Sequence, residues 1–157
     1  MYSTIKLGIS HINDILDLEL KHHPDGKLYF ATTYDEIYTL IQKERCAYYW
    51  IYDGHDLVAY GAFDGFSHQE EWSVKIIGIV IHTDYRGQSM WTFLLKKIIH
   101  EIQLFQATKI YLTVASENDI AYSLYEHYGF VKYDFKKDVY GPWFDRIYME
   151  YRGEEIN

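Results

Sequence analysis

Two short segments carry the groups that could do chemistry. The first is Ile79-Val-Ile-His-Thr-Asp-Tyr-Arg-Gly-Gln-Ser-Met-Trp91. An apolar, strand-like run enters a short polar loop there, and a helix-like run leaves at once. Such a junction aims several backbone N–H groups and the positive end of a helix dipole at one point. A phosphate or pyrophosphate is the natural guest. An ordinary strand–helix connection is the alternative that the loop alone leaves open. The second segment is Asn118-Asp-Ile-Ala-Tyr-Ser-Leu-Tyr-Glu-His-Tyr-Gly-Phe130. Tyr122 and Tyr125 lie three apart and so project to neighbouring positions on a helix. Other reactive side chains form weaker patterns. The eight His residues show no ligand spacing, and His22-His23 are adjacent and followed by Pro24, so no metal site is expected. Cys46, at the end of the second helical run, has no His or Asp nearby in sequence to activate it and reads as an inert thiol.

The elements that must position these groups follow from periodicity. Thr4–Ile9 reads as a strand, and Ser10 is placed to cap a helix from His11 toward His22, broken by Pro24-Asp-Gly26. Thr33 and Glu36 spell a capping box ahead of the stripe Ile37, Leu40 and Ile41. Ala47–Tyr52 and Leu57–Phe63 flank Asp53-Gly-His-Asp56, a hairpin signal. Trp72–His82 is nearly all apolar, as a strand buried on both faces requires. Trp91, Leu94, Leu95, Ile98, Ile99 and Ile102 recur at helical spacing within Met90–Phe105. Lys109–Ala115 is a further strand, and the short helix ending at Tyr128 is stopped by Gly129. Val131–Phe135 and Arg146–Tyr151 close the chain. The expected fold is α/β: a mixed, largely antiparallel sheet of about seven strands with a central parallel pair, flanked by about four helices.

Composition bounds the rest. The 157 residues suit a single domain over 1–157. With 15 Lys+Arg against 23 Asp+Glu, the net charge is −8 and no basic cluster exists to hold nucleic acid by its phosphates. An acidic surface favours cationic partners such as amines, polyamines or lysine side chains. Aromatics reach 18%, enough rings to line an apolar cleft, with Tyr29, Phe30, Tyr34 and Trp72 as candidates for an acceptor pocket. The single cysteine, the absence of a basic-then-apolar leader at the N-terminus and the lack of a ~20-residue apolar run point to a cytoplasmic protein off the membrane.

Taken in order, the two segments resemble the GNAT superfamily of acyl-CoA-dependent N-acyltransferases. The likeness covers Trp72 to Tyr151; before that only the element order agrees. The family's Arg/Gln-x-x-Gly-x-Gly/Ala aligns on Arg86-Gly-Gln-Ser-Met-Trp91, with Ser89 and Trp91 standing where small residues are usual. Its Asn-x-x-Ala-x-x-Leu-Tyr-x-x-x-Gly-Phe aligns on Asn118, Ala121, Leu124, Tyr125, Gly129 and Phe130.

The resemblance implies acetyl-CoA as cosubstrate and a primary amine as acceptor, with no metal. It implies that the backbone of Ile79, Val80 and Ile81 holds the pantetheine arm. Arg86, Gly87, Gln88, Ser89, Met90 and Trp91 would surround the pyrophosphate, and Asn118 would touch the cofactor from the next strand's end. Tyr125 would give a proton to the departing sulfur. The family's usual strand carboxylate is replaced by Lys75, which leaves Glu71, of the same strand parity, as the candidate base, with Glu70, His82 or a water relay as alternatives. The imperfect first motif also admits a non-catalytic acyl-CoA-binding or protein-interaction module on the same fold. Homodimers are the commonest soluble assemblies, and one is compatible with this chain.

Overall fold

A strand that is apolar on both faces must sit between two layers, and the chain obeys this at its longest apolar run. A computed structural model describes residues 4–6, 8–22, 33–43, 45–87, 89–139 and 141–155. Strands β1 (Thr4–Lys6), β2 (Cys46–Asp53), β3 (Asp56–His68), β4 (Glu71–Ile81), β5 (Lys109–Ala115), β6 (Phe130–Lys136) and β7 (Arg146–Tyr151) form one sheet in the order β1-β2-β3-β4-β5-β7-β6. Every neighbouring pair is antiparallel except β4–β5, the parallel pair the crossover helix demands.

Four helices cover the sheet: α1 (Ile12–His22), α2 (Tyr34–Ile41), α3 (Met90–Leu104) and α4 (Asp119–His127). One core layer lies under α3, where Leu94, Leu95, Ile98, Ile99 and Ile102 meet Phe63, Val74, Ile76, Leu112 and Met149. The other joins Ile12, Ile15 and Leu18 of α1 and Ile37 of α2 to Trp50, Tyr60, Ala62 and Val80. Gly61 makes the first layer possible, since a Cβ there would stand 2.6 Å from Ile98 Cδ1.

The capping box forms as its spacing predicts: Glu36 N–H donates to Thr33 Oγ1 and Thr33 N–H to Glu36 Oε2. Ser10 does not cap α1. It falls inside a 3₁₀ turn, Ile9–His11, and its hydroxyl pairs with His11 Nδ1 instead. Cys46 is not at a helix end but opens β2, 1% exposed. Strand β3 runs on to His68, because Gln69 and Glu70 (φ 50° and 67°) make a two-residue left-handed turn into β4 without a glycine. Met90, not Trp91, is the first fully buried residue of the α3 stripe. Pro24-Asp-Gly26 and the Leu20 side chain lie outside the described residues. No helix among the described residues is long and apolar enough to cross a membrane.

The tyrosine excess ties the fold to pH. Burial pushes the phenols of Tyr49, Tyr52, Tyr125 and Tyr133 up to about 12; Glu101 adds to this at Tyr49, Asp14 at Tyr52 and Glu150 at Tyr133. A phenol that ionises at ~10 in the unfolded chain and near 12 in the folded one stabilises the fold fully below pH ~10. That stability is lost as pH rises through 12. The melting temperature is therefore expected to hold between neutral pH and about pH 10 and to fall steeply beyond it, as a calorimetric pH series will read.

Candidate active site

The parallel pair is short. Register between β4 and β5 covers only Ser73–Lys75 against Lys109–Tyr111, after which the strands part. The parting starts where β4 carries a bulge against β3, with Ile76 opposite Phe63 but Gly78 opposite Ala62, so Ile77 is the extra residue. Which peptide groups line the resulting fork follows from the ladders on either side. His82 N–H donates to Val58 O (2.8 Å), so along this stretch Val80 and Gly78 turn to β3 while Ile79 and Ile81 turn to the fork. Val80, expected in the cofactor-facing trio, thus has its peptide turned toward β3 and its side chain in the α1 layer. Across the gap, Ser116 N–H donates to Asp145 O (3.1 Å), which by the same alternation points Thr113 and Ala115 into the fork.

The loop that follows β4 winds through a 3₁₀ turn, Thr83–Tyr85, tied by Tyr85 Oη–H to Asp53 (2.6 Å). Arg86 folds back, its Nε donating to the fork-side carbonyl of Ile81 (3.4 Å). Gly87 (φ +80°) and Ser89 (φ +63°) are both left-handed, and Ser89 stands at the N-cap of α3 without a side-chain cap bond. The helix therefore starts with amides that no cap side chain covers, at the open end of the fork. Space beside Gly87 is open, since a Cβ there meets nothing within 4 Å. The Trp91 indole does not cover this loop; it packs on Tyr125 and Tyr128 of the α4 segment, ring centroids 5.2 and 5.8 Å away. Gln88 lies outside the described residues.

Tyr125 approaches from α4, packed on Trp91 and on Phe130 (5.6 Å). Part of the residue is accessible, but its hydroxyl end is enclosed, and desolvation raises its pKa to about 12 against the opposing pull of the Arg146 charge. Asn118 caps α4, its Oδ1 accepting from Ala121 N–H (3.1 Å).

Glu71 is not brought to this place. It pairs with His68 at the exposed β3–β4 turn, four residues before Lys75 and so ~13 Å from the mouth of the fork. Glu70 sits in the same turn, and His82 accepts from Asp84 N–H (3.1 Å) beyond the end of β4. The helical and strand patterns gave no hint of two buried carboxylates: Glu19, held by the Tyr60 hydroxyl, and Asp64, ion-paired to Lys43 and directly across β3–β4 from Lys75. Trp72 is stacked under the Arg45 guanidinium (3.8 Å) on the paired arm of β4, and Tyr34 stacks on Tyr38, so neither joins the fork; Tyr29 and Phe30 lie outside the described residues. Arg146, 4% exposed and bonded to Thr113, is a third buried charge, whose only signal in the sequence was an arginine opening a strand of apolar and aromatic residues.

A seven-stranded sheet splayed at its parallel pair, with a helix starting at the open end, is a recognisable design. Residues 12–130 match the model of the acetyltransferase (GNAT) family, and the chain belongs to that family. No curated protein matches it by sequence. Among solved structures it is similar to a ribosomal-protein-alanine N-acetyltransferase from Escherichia coli (20% identity, TM-score 0.77, covering 100% of this chain and 99% of that one). It is also similar to Arabidopsis thaliana NAA60 in complex with acetyl-CoA (14%, TM-score 0.81, 96% and 98%). A variant of the spermidine N-acetyltransferase SpeG from Vibrio cholerae matches at 19% (TM-score 0.74, 95% and 92%). At these identities the likeness establishes a shared fold.

The uncapped start of α3 yields a stability test. Asp tolerates the left-handed conformation and is favoured at a helix N-terminus by the dipole, by about 0.3–1 kcal/mol. Ser89→Asp is expected to raise the melting temperature by about 1–3 °C in differential scanning calorimetry.

Proposed function

We propose that the chain, acting as one domain over residues 1–157, transfers an acetyl group from acetyl-CoA to a primary amine by direct attack in a ternary complex. The observation that carries this reading is the fork: a strand edge whose peptides lie outside the ladder, running straight to an uncapped helix start. That shape matches a ligand with an amide-bearing arm and a pyrophosphate. Bound there, acetyl-CoA supplies an activated acyl group.

The residues then divide the work. Ile79 and Ile81 offer the arm their fork-side amides, and the Ile81 N–H also stands to stabilise the thioester oxygen as it gains negative charge. Arg86, Gly87, Gln88, Ser89, Met90 and Trp91 receive the pyrophosphate through main-chain N–H groups at the dipole's positive end. Asn118 holds the α4 start beside them. As the amine nitrogen bonds the acetyl carbon, the C–S bond breaks with its electron pair passing to sulfur. Tyr125 donates a proton to that sulfur, and the proton the amine sheds restores the balance through water. With Lys75 at the usual carboxylate position and Glu71 at a distant turn, the deprotonation falls to solvent, so no single carboxylate is indispensable. A net charge of −8 supports a cationic acceptor, a small polyamine or a peptide amine, and a single cysteine, which cannot form an internal disulfide, suits a reducing cytoplasm.

Four measurements test this. Ser89→Asp, which stabilises α3, is expected to weaken acetyl-CoA binding about tenfold or more in calorimetry; unchanged affinity would remove the pyrophosphate from this loop. Tyr125→Phe keeps the ring and removes the hydroxyl, and is expected to lower kcat ~10–100-fold at unchanged acetyl-CoA affinity in a thiol-release assay. Because Tyr125 holds its proton until about pH 12, the parent enzyme's rate should climb with amine deprotonation and show no alkaline fall before pH ~10. Glu71→Gln should cost far less than the ~100-fold expected of a lost base. Acetyl-CoA binding without turnover on any amine would make the chain an acyl-CoA-binding module instead.

A further inference from the structure

Arg146 opens β7 and is used by none of the steps above, yet it is 4% exposed. A guanidinium keeps its charge when buried, so this is a fixed cation inside the protein. Its Nε donates to Thr113 Oγ1 (3.1 Å) and one Nη2 hydrogen to Thr113 O (2.8 Å). Thr113 O is a carbonyl that the ladder alternation turns toward the fork, past the point where β4 stops pairing with β5. The Arg146 side chain therefore crosses β5 from β7 and sets its positive charge in the wall of the fork. Thr113 faces it from β5, and the enclosed Tyr125 hydroxyl feels its field from the α4 side. A bidentate anchor on a strand leaves this charge little freedom to move, which is the condition for electrostatic stabilisation without reorganisation.

We propose that Arg146 is the electrostatic partner of the departing sulfur, holding positive charge where the C–S electron pair arrives and stabilising the sulfur's negative charge until the Tyr125 proton reaches it. This rests on the acetyl-CoA reading above. Its consequence reaches beyond turnover: free CoA should bind more tightly as its thiol ionises, whereas desulfo-CoA, which has no thiol, should not.

The test is isothermal calorimetry of both ligands at about pH 7 and about pH 9.5, on either side of a thiol pKa near ~8.5. Lowering the bound thiol's pKa by about one unit tightens CoA about five- to tenfold relative to desulfo-CoA across that range. The parent protein is expected to show this gain, and Arg146→Met and Arg146→Gln to lose it while still binding desulfo-CoA. Equal behaviour of the two ligands in the parent, or an unchanged gain in either variant, would overturn the proposal. If Arg146→Met fails to fold, Arg146→Gln, which keeps hydrogen-bond donors for Thr113 without the charge, decides it. Failure of both ligands to bind at all would instead sink the acetyl-CoA reading on which the proposal stands.

Discussion

The structure depends on one interruption: β4 and β5 pair for three residues and then part. Parting exposes peptide groups, and exposed peptides inside a protein must find partners or be offered to a ligand. Two of the fork's carbonyls are taken by arginines, Ile81 O by Arg86 and Thr113 O by Arg146. The same two contacts bring cations to the gap in a chain whose net charge is −8. The device that closes the backbone accounting thus also sets the local field against the protein's overall sign.

Holding two strands apart requires packing on both sides of the gap. On the β4 side, α3 lays its buried stripe across β2, β3 and β4, close enough that a Cβ at position 61 would stand 2.6 Å from Ile98 Cδ1. On the β5 side, α4 is pinned by Tyr125 against Phe130. The two helices meet through Trp91 against Tyr125 and Tyr128, and through the Thr92–Tyr128 hydroxyl contact (2.9 Å). Trp91 therefore acts as a brace between helices. Its indole is spent on Tyr125 and Tyr128.

Much of this was legible in the chain. The parallel pair, the hairpin at Gly54, the capping box at Thr33, the left-handed stop at Gly129 (φ +98°) and the strand bounds of β5 and β7 follow from local rules acting over a few residues. The loop after β4 and the Leu124-Tyr125 pair were legible as well, because a strand–loop–helix junction and a helical spacing are local too. What the sequence could not place were relations across elements. Strand parity made Glu71 a candidate for the cleft, and the turn at Gln69-Glu70 and the β4–β5 register place it four residues before Lys75, at the turn end of β4. Val80 lies beside Ile79 and Ile81 in sequence, yet the bulge at Ile77 decided which of the three face the fork. The buried charges of Glu19, Asp64 and Arg146 depend on partners 41, 21 and 33 residues away, respectively. Hydrophobic periodicity and capping are short-range and were written in the chain. Register, splay and the placement of buried charge are set when distant strands meet, and only the tertiary structure settles them.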